Sequence, residues 1–236
     1  MDARNRIAKV AGAGYLAIFI SGIFANFFVL ETLVVAGDAA ATAGNIQDNE
    51  WQFRFGILSF VIMVVFDVVL TWALYELLKV VNRNVSLLAA WFRLVNCAIF
   101  GVALYNLFGV LHVLGSSPYL AALNTSQLQA QVMLFVHAFQ STWLVGLIFF
   151  GIHLIFLGYL VFKSSDFPRF IGVLLMIAAI GYLIDSFANF LLPNYEDYES
   201  IFMMIVVIPG VVGELSLTFW LLFKGVKTET ELKASA

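Results

Sequence analysis

The chain has 236 residues, of which 62% are hydrophobic and 11% charged, and its formal net charge is −3. Soluble domains carry roughly twice that charged fraction, so the composition is that of a multi-pass membrane protein. No basic tract or zinc-knuckle spacing supports a nucleic-acid binder, and the single Cys97 excludes a disulfide framework and any CxxC redox or metal motif.

Arg4, Arg6 and Lys9 precede an almost uncharged run over 10–36. A cleaved signal peptide has an apolar core of only about 7–15 residues, so this longer run reads as a first membrane span, with Asn26 inside it and Glu31 near its far end. A polar connection, 37–50, follows. The second span, 55–78, keeps Asp67 near its centre, where a carboxylate costs on the order of 3 kcal/mol and normally turns inward. Gly56, Ser59, Met63, Asp67 and Thr71 recur every three or four residues and so share one helical face. After the Asn82-Arg83-Asn84 turn, a third span over 87–114 places Arg93, Asn96, Ala103 and Asn106 on one face.

Beyond the loop around Ser116, Ser117 and Pro118, Ser126 and Gln129 form a capping-box signature. A helix from there to Phe162 would exceed about 50 Å at 1.5 Å per residue. The part through Gln140 is therefore expected to be an extra helical segment along or above the outer surface, with the fourth span at 141–163. Thr142, Gly146, Phe149 and His153 line one face of that span. A tight turn containing Pro168 leads to the fifth span, 169–192, with Gly181, Tyr182, Asp185 and Asn189 on one side. Pro193 ends it, and an acidic loop over 195–199 leads to the sixth span, 200–224, in which Pro209 should bend the helix before Gly210, Glu214 and Thr218. The expected fold is all-α: an integral membrane bundle of six transmembrane helices, one domain over 1–236. Lysines and arginines fall at the N-terminus, the second-to-third and fourth-to-fifth turns and the C-terminal tail, with Arg54 alone opposite, which puts both termini in the cytoplasm.

The stretches GDAAATAGNI (37–46), ALYELLKVVNRNVSLLAAWFRLV (73–95), GLIFFGIHLIFLGYLVFKS (146–164), PRFIGVLLMIAAIGYLIDS (168–186) and GELSLTFWLLFKGV (213–226) resemble a bacterial membrane-protein family catalogued as domain of unknown function 4386. The resemblance covers nearly the whole chain. It implies a compact protein of the bacterial inner membrane and carries over no activity and no functional residues.

Counted from the cytoplasmic helix ends, Asp67 lies about 17 Å deep, His153 and Glu214 about 15 Å and Asn96 about 13 Å. Two carboxyls and a histidine on three helices thus share one level, a grouping suited to hold a proton, a metal or a cationic intermediate. Asp67, His153 and Glu214 are the candidate catalytic residues, expected to line one enclosed polar cavity. Asn26, Asn96, Asn106, Tyr182, Asp185 and Asn189 are candidate ligand-binding residues. Glu76 and Arg93 are expected to form a structural ion pair near the cytoplasmic interface.

Three functions fit this pattern. The leading one is acid–base binding or processing of a hydrophobic small molecule of lipid or isoprenoid type. The alternatives are proton-coupled transport of a small solute and a non-catalytic accessory role in which the acids only bond neighbouring helices. No HxxxH, HExxH, GxSxG or phosphate-binding glycine loop is present, so no metal site and no cofactor is indicated. The sequence does not indicate an oligomeric state.

Overall fold

The computed structural model describes residues 3–115 and 118–227. Met1, Ser116, Ser117 and the tail beyond Lys227, which entered the turn and charge readings, lie outside the described residues. Among the described residues there are helices and no strands. Six helices are long and apolar enough to cross a membrane: α1 (Ala3–Leu33), α3 (Glu50–Leu78), α4 (Arg83–Leu114), α5 (Thr125–Lys163), α6 (Arg169–Leu191) and α7 (Glu199–Lys224). The polar connection after the first span is itself helical, α2 (Ala39–Asp48). Asp38 caps it by accepting the Ala41 N–H at 2.9 Å, a start signal hidden in the acidic composition of that stretch.

The start of α5 also differs in detail from the expected capping box. Asn124 and Gln127 make the reciprocal pair, with Gln127 N–H donating to Asn124 Oδ1 at 2.9 Å and Asn124 N–H to Gln127 Oε1 at 3.0 Å. The box lies two positions before Ser126 and Gln129, because the asparagine serves as cap and the serine falls inside the first turn. The residues expected to form a surface segment are the first turns of α5, continuous with the rest of its 39 residues.

The chain divides into two compact units, Met1–Leu16 with Phe66–Cys97 and Val145–Ala236, and Ala17–Val65 with Ala98–Leu144. In the second, α1 widens into a π-helical turn over Phe24–Leu30. Such a turn loosens the regular ladder, and Gln52 of α3 donates its Nε2–H to the Phe28 carbonyl at 2.6 Å. Trp143 stacks on Phe100 with centroids 3.6 Å apart and packs against Phe60 and Phe139, which joins α3, α4 and α5 in this unit. A recess of about 440 Å³ lies among Ala43, Gln47, Leu114, Leu120, Leu128 and Gln129.

The first unit is built on close helix crossings. A Cβ on Gly172 of α6 would lie 2.6 Å from the Gly158 carbonyl oxygen and from the Phe162 nitrogen of α5. Because those are backbone atoms, no side-chain adjustment makes room. Gly172→Val is therefore expected to lower stability by about 3 kcal/mol or more, read as a fall in the thermal unfolding midpoint of the purified protein in detergent. An unchanged midpoint would refute this crossing. Farther along α6, the helix meets α7 at Gly181, whose Cβ position is 2.6 Å from the Ile205 carbonyl oxygen. That oxygen is four residues before Pro209, which has no N–H to give it. Glycine at 181 leaves space for the carbonyl that the proline deprives of its helical partner.

The end of this unit that holds the described chain termini is tied together by Arg4 and Asp166. Arg4 is 6% exposed and donates from Nη2 to Asp166 Oδ2 at 2.9 Å; Nη2 also reaches the Leu77 carbonyl and Nη1 the Lys227 carbonyl. Asp166 Oδ1 accepts the Lys227 N–H at 3.0 Å, and its backbone oxygen accepts the Trp220 indole N–H at 2.9 Å. Gly225, at φ +73°, turns the chain so that Val226 N–H reaches Asn5 Oδ1 at 3.0 Å.

Candidate functional site

Asp67 of α3, Arg93 of α4 and His153 of α5 meet in the first unit. Arg93 is the hub and is 1% exposed. Its Nε–H donates to Asp67 Oδ1 at 2.9 Å, Nη2 donates to the same oxygen, and Nη1–H donates to His153 Nε2 at 3.0 Å. An arginine nitrogen can only donate, so His153 Nε2 must accept. The ring proton then sits on Nδ1, which donates to the Ala89 carbonyl at 2.9 Å. His153 is thereby fixed as a neutral imidazole in one tautomer. The guanidinium carbon lies 5.4 Å from the ring centroids of both Tyr15 and Phe150, so two aromatic faces hold the cation as well.

The expected Glu76–Arg93 pair does not form. Glu76 instead binds Lys79 one turn along its own helix, at 2.7 Å, and this pair is partly exposed. The reason is depth: α4 begins at Arg83, four residues before the expected start at Leu87. Ten residues of rise carry Arg93 about 15 Å from that end, level with Asp67 and beyond the reach of Glu76.

Glu214 of α7 belongs to the same unit and is 8% exposed. Its charge and those of Arg93 and Asp67 act on one another. Among the described residues its carboxyl makes no hydrogen bond or ion pair, while its backbone oxygen accepts from Thr218 at 2.7 Å. Asn96, fully buried, donates to the Gly146 carbonyl at 3.0 Å and leaves its Oδ1 unpartnered. Tyr182 packs edge-on against Phe150, with its hydroxyl toward Gly210. The Asp185 carboxylate accepts the Tyr195 hydroxyl at 2.6 Å; partial burial and that carboxylate push the Tyr195 hydroxyl above its ordinary range, and Asn189 stands beside it. Asn26 and Asn106 lie in the other unit and bond to carbonyls of their own helices, Gly22 and Ala103. Sequence reasoning missed Tyr15 and Phe150, whose only signal was a helical spacing that puts Phe150 three residues before His153.

The space beside the cluster is small. The pocket that His153 lines with Thr71, Tyr75, Ser86 and Ala89 has a volume of about 10 Å³, room for about one water. Neither Asp67 nor Glu214, expected to share an enclosed polar cavity with His153, is among the residues that line this pocket.

The model of the family described as "Domain of unknown function (DUF4386)" matches residues 10–225. The chain belongs to the DUF4386 family. It is also similar to an uncharacterized protein of Archaeoglobus fulgidus, 33% identical over 173 residues, which cover 73% of this chain and 85% of that protein. No solved structure matches. The matched DUF4386 region includes Asp67, Arg93, His153 and Glu214, so the whole cluster lies inside the family's extent.

Proposed function

We propose that this DUF4386 protein is a proton-exchanging protein of a prokaryotic plasma membrane, the inner membrane in a bacterium. In this reading Asp67, Arg93 and His153 form a fixed frame and Glu214 takes up and releases the proton. The observation that carries the reading is the Glu214 carboxyl, buried and, among the described residues, without a hydrogen bond or ion pair, within the electrostatic reach of an arginine whose charge Asp67 already balances. A carboxyl so placed has both protonation states open to it, whereas Asp67 is committed to its ion pair. Proton-coupled passage of a small solute fits the cluster best, because the space beside His153 admits water but no acyl chain. Acid–base processing of a lipid or isoprenoid-type molecule is the second reading. It is favoured by the presence in one unit of a free acid, Glu214, and a neutral imidazole, His153, and requires the helices to part.

Infrared difference spectroscopy of the protein in lipid, recorded across a pH change, tests the common core. A protonated-carboxyl C=O band should appear and vanish with pH, and Glu214→Gln should remove it. Persistence of the whole band in Glu214→Gln refutes the role of Glu214 and leaves the accessory reading. Mass spectrometry of co-purifying molecules separates the other two, since a retained lipid-like compound supports processing and its absence supports transport.

A further inference from the structure

Tyr182 of α6 reaches along its crossing with α7 toward Glu214. The two helices run antiparallel there, with the Cβ position of Gly181 2.6 Å from the Ile205 carbonyl oxygen and that of Gly213 3.4 Å from Leu174. Tyr182, next to Gly181, thus leaves α6 at the level of Ile205, yet its hydroxyl stands 3.4 Å from the Cβ position of Gly210, one turn from Glu214. Glycine at 210 leaves the hydroxyl that place. Helical side chains lean toward the N-terminus, and residues four apart share a face with Cβ atoms about 5–6 Å apart, so the Glu214 side chain leans back toward Gly210. Hydroxyl and carboxyl therefore approach Gly210 from opposite ends. Among the described residues, neither of them makes a hydrogen bond. Phe150 holds the Tyr182 ring edge-on, with centroids 5.2 Å apart.

The geometry points to Tyr182 as the positioning residue for the Glu214 proton: its hydroxyl meets that carboxyl, directly or through one water, in both protonation states. This rests on the reading of Glu214 as the proton-exchanging group. A tyrosine hydroxyl donates to a carboxylate and accepts from a carboxylic acid, so it follows the proton without leaving an orphan in either state. Arg93 N–H groups can only donate and so serve the ionised form alone. The other carboxylates whose charges act on the pair are engaged, Asp67 by Arg93 and Asp185 by the Tyr195 hydroxyl. Tyr15 carries another hydroxyl on which the Glu214 charge acts, but its ring lies against the Arg93 guanidinium on the first span.

The experiment applies the same infrared measurement to Tyr182→Phe and Tyr15→Phe on the full chain in lipid. Tyr182→Phe keeps the ring against Phe150 and so keeps the packing. It should shift the Glu214 carboxyl band to higher frequency, as expected for a lost hydrogen bond, and move the pH at which the band appears. In the unaltered protein a tyrosine C–O band should change in step with the Glu214 band, a signature that packing alone does not produce. Tyr182→Phe should remove that tyrosine band and Tyr15→Phe should retain it. A Glu214 band unmoved by Tyr182→Phe, a coupled tyrosine band that persists in Tyr182→Phe, or no coupled tyrosine band at all overturns the assignment. Absence of any band removable by Glu214→Gln defeats the reading of Glu214 itself, so the two failures are distinct.

Discussion

Arg93→Met is expected to destabilise the protein by about 3–5 kcal/mol, because it strands a buried carboxylate. Asp67 has a 5% exposed side chain and no other cation within bonding distance among the described residues, and His153 Nε2 would lose its only donor. Asp67→Leu should cost a similar amount, since it strands the guanidinium. Together the two changes should cost much less than their sum, because replacing both members of a buried pair by apolar groups removes the desolvation burden along with the attraction. Cys97, 4% exposed, is the built-in reporter. Its labelling by a thiol-reactive dye during a temperature ramp gives the unfolding midpoint of each variant in detergent. Additive losses in the double variant would mean that Asp67 and Arg93 are held by separate partners.

Asp166→Ala is expected to have the next largest effect, about 2–3 kcal/mol. It removes the anion opposite Arg4 and the acceptor of the Lys227 N–H together. The loss should be smaller than at Arg93, because Arg4 stands in the first turn of its helix and its long side chain can swing toward water. Arg4→Asp combined with Asp166→Arg should recover part of the loss. If the swapped pair is no better than either single change, the ion pair adds nothing to the backbone bonds around it.

The six spans were legible because membrane crossing demands some twenty apolar residues, and little else in a protein produces such runs. The level shared by Asp67 and His153 was legible for a similar reason, since helical rise converts sequence position into depth. Rotation about the helix axis and the true first residue of each helix were not legible. Four residues of error at the start of α4 placed Arg93 about 6 Å too shallow and assigned it to Glu76 instead of Asp67. Arg4 and Asp166 looked like ordinary interface charges. Their pairing joins residues 162 positions apart, and neither charge pattern nor periodicity encodes such a separation. Tyr15 was invisible because aromatic residues are common in membrane spans, and only its burial against a cation distinguishes it.

The Ile205 carbonyl seated on Gly181 makes α7 a lever with a defined fulcrum. Pro209 removes one rung of the ladder there, so bending is softest at that point. Glu214 is five residues beyond the proline, about 7.5 Å along the axis. A tilt of roughly 10° about the fulcrum would carry its backbone sideways by about 1.3 Å, enough to make or break a hydrogen bond. Rocking of α7 would then move the acid relative to Arg93, and a bulkier residue at 181, which must push the Ile205 carbonyl aside, would shift α7 and the Glu214 it carries.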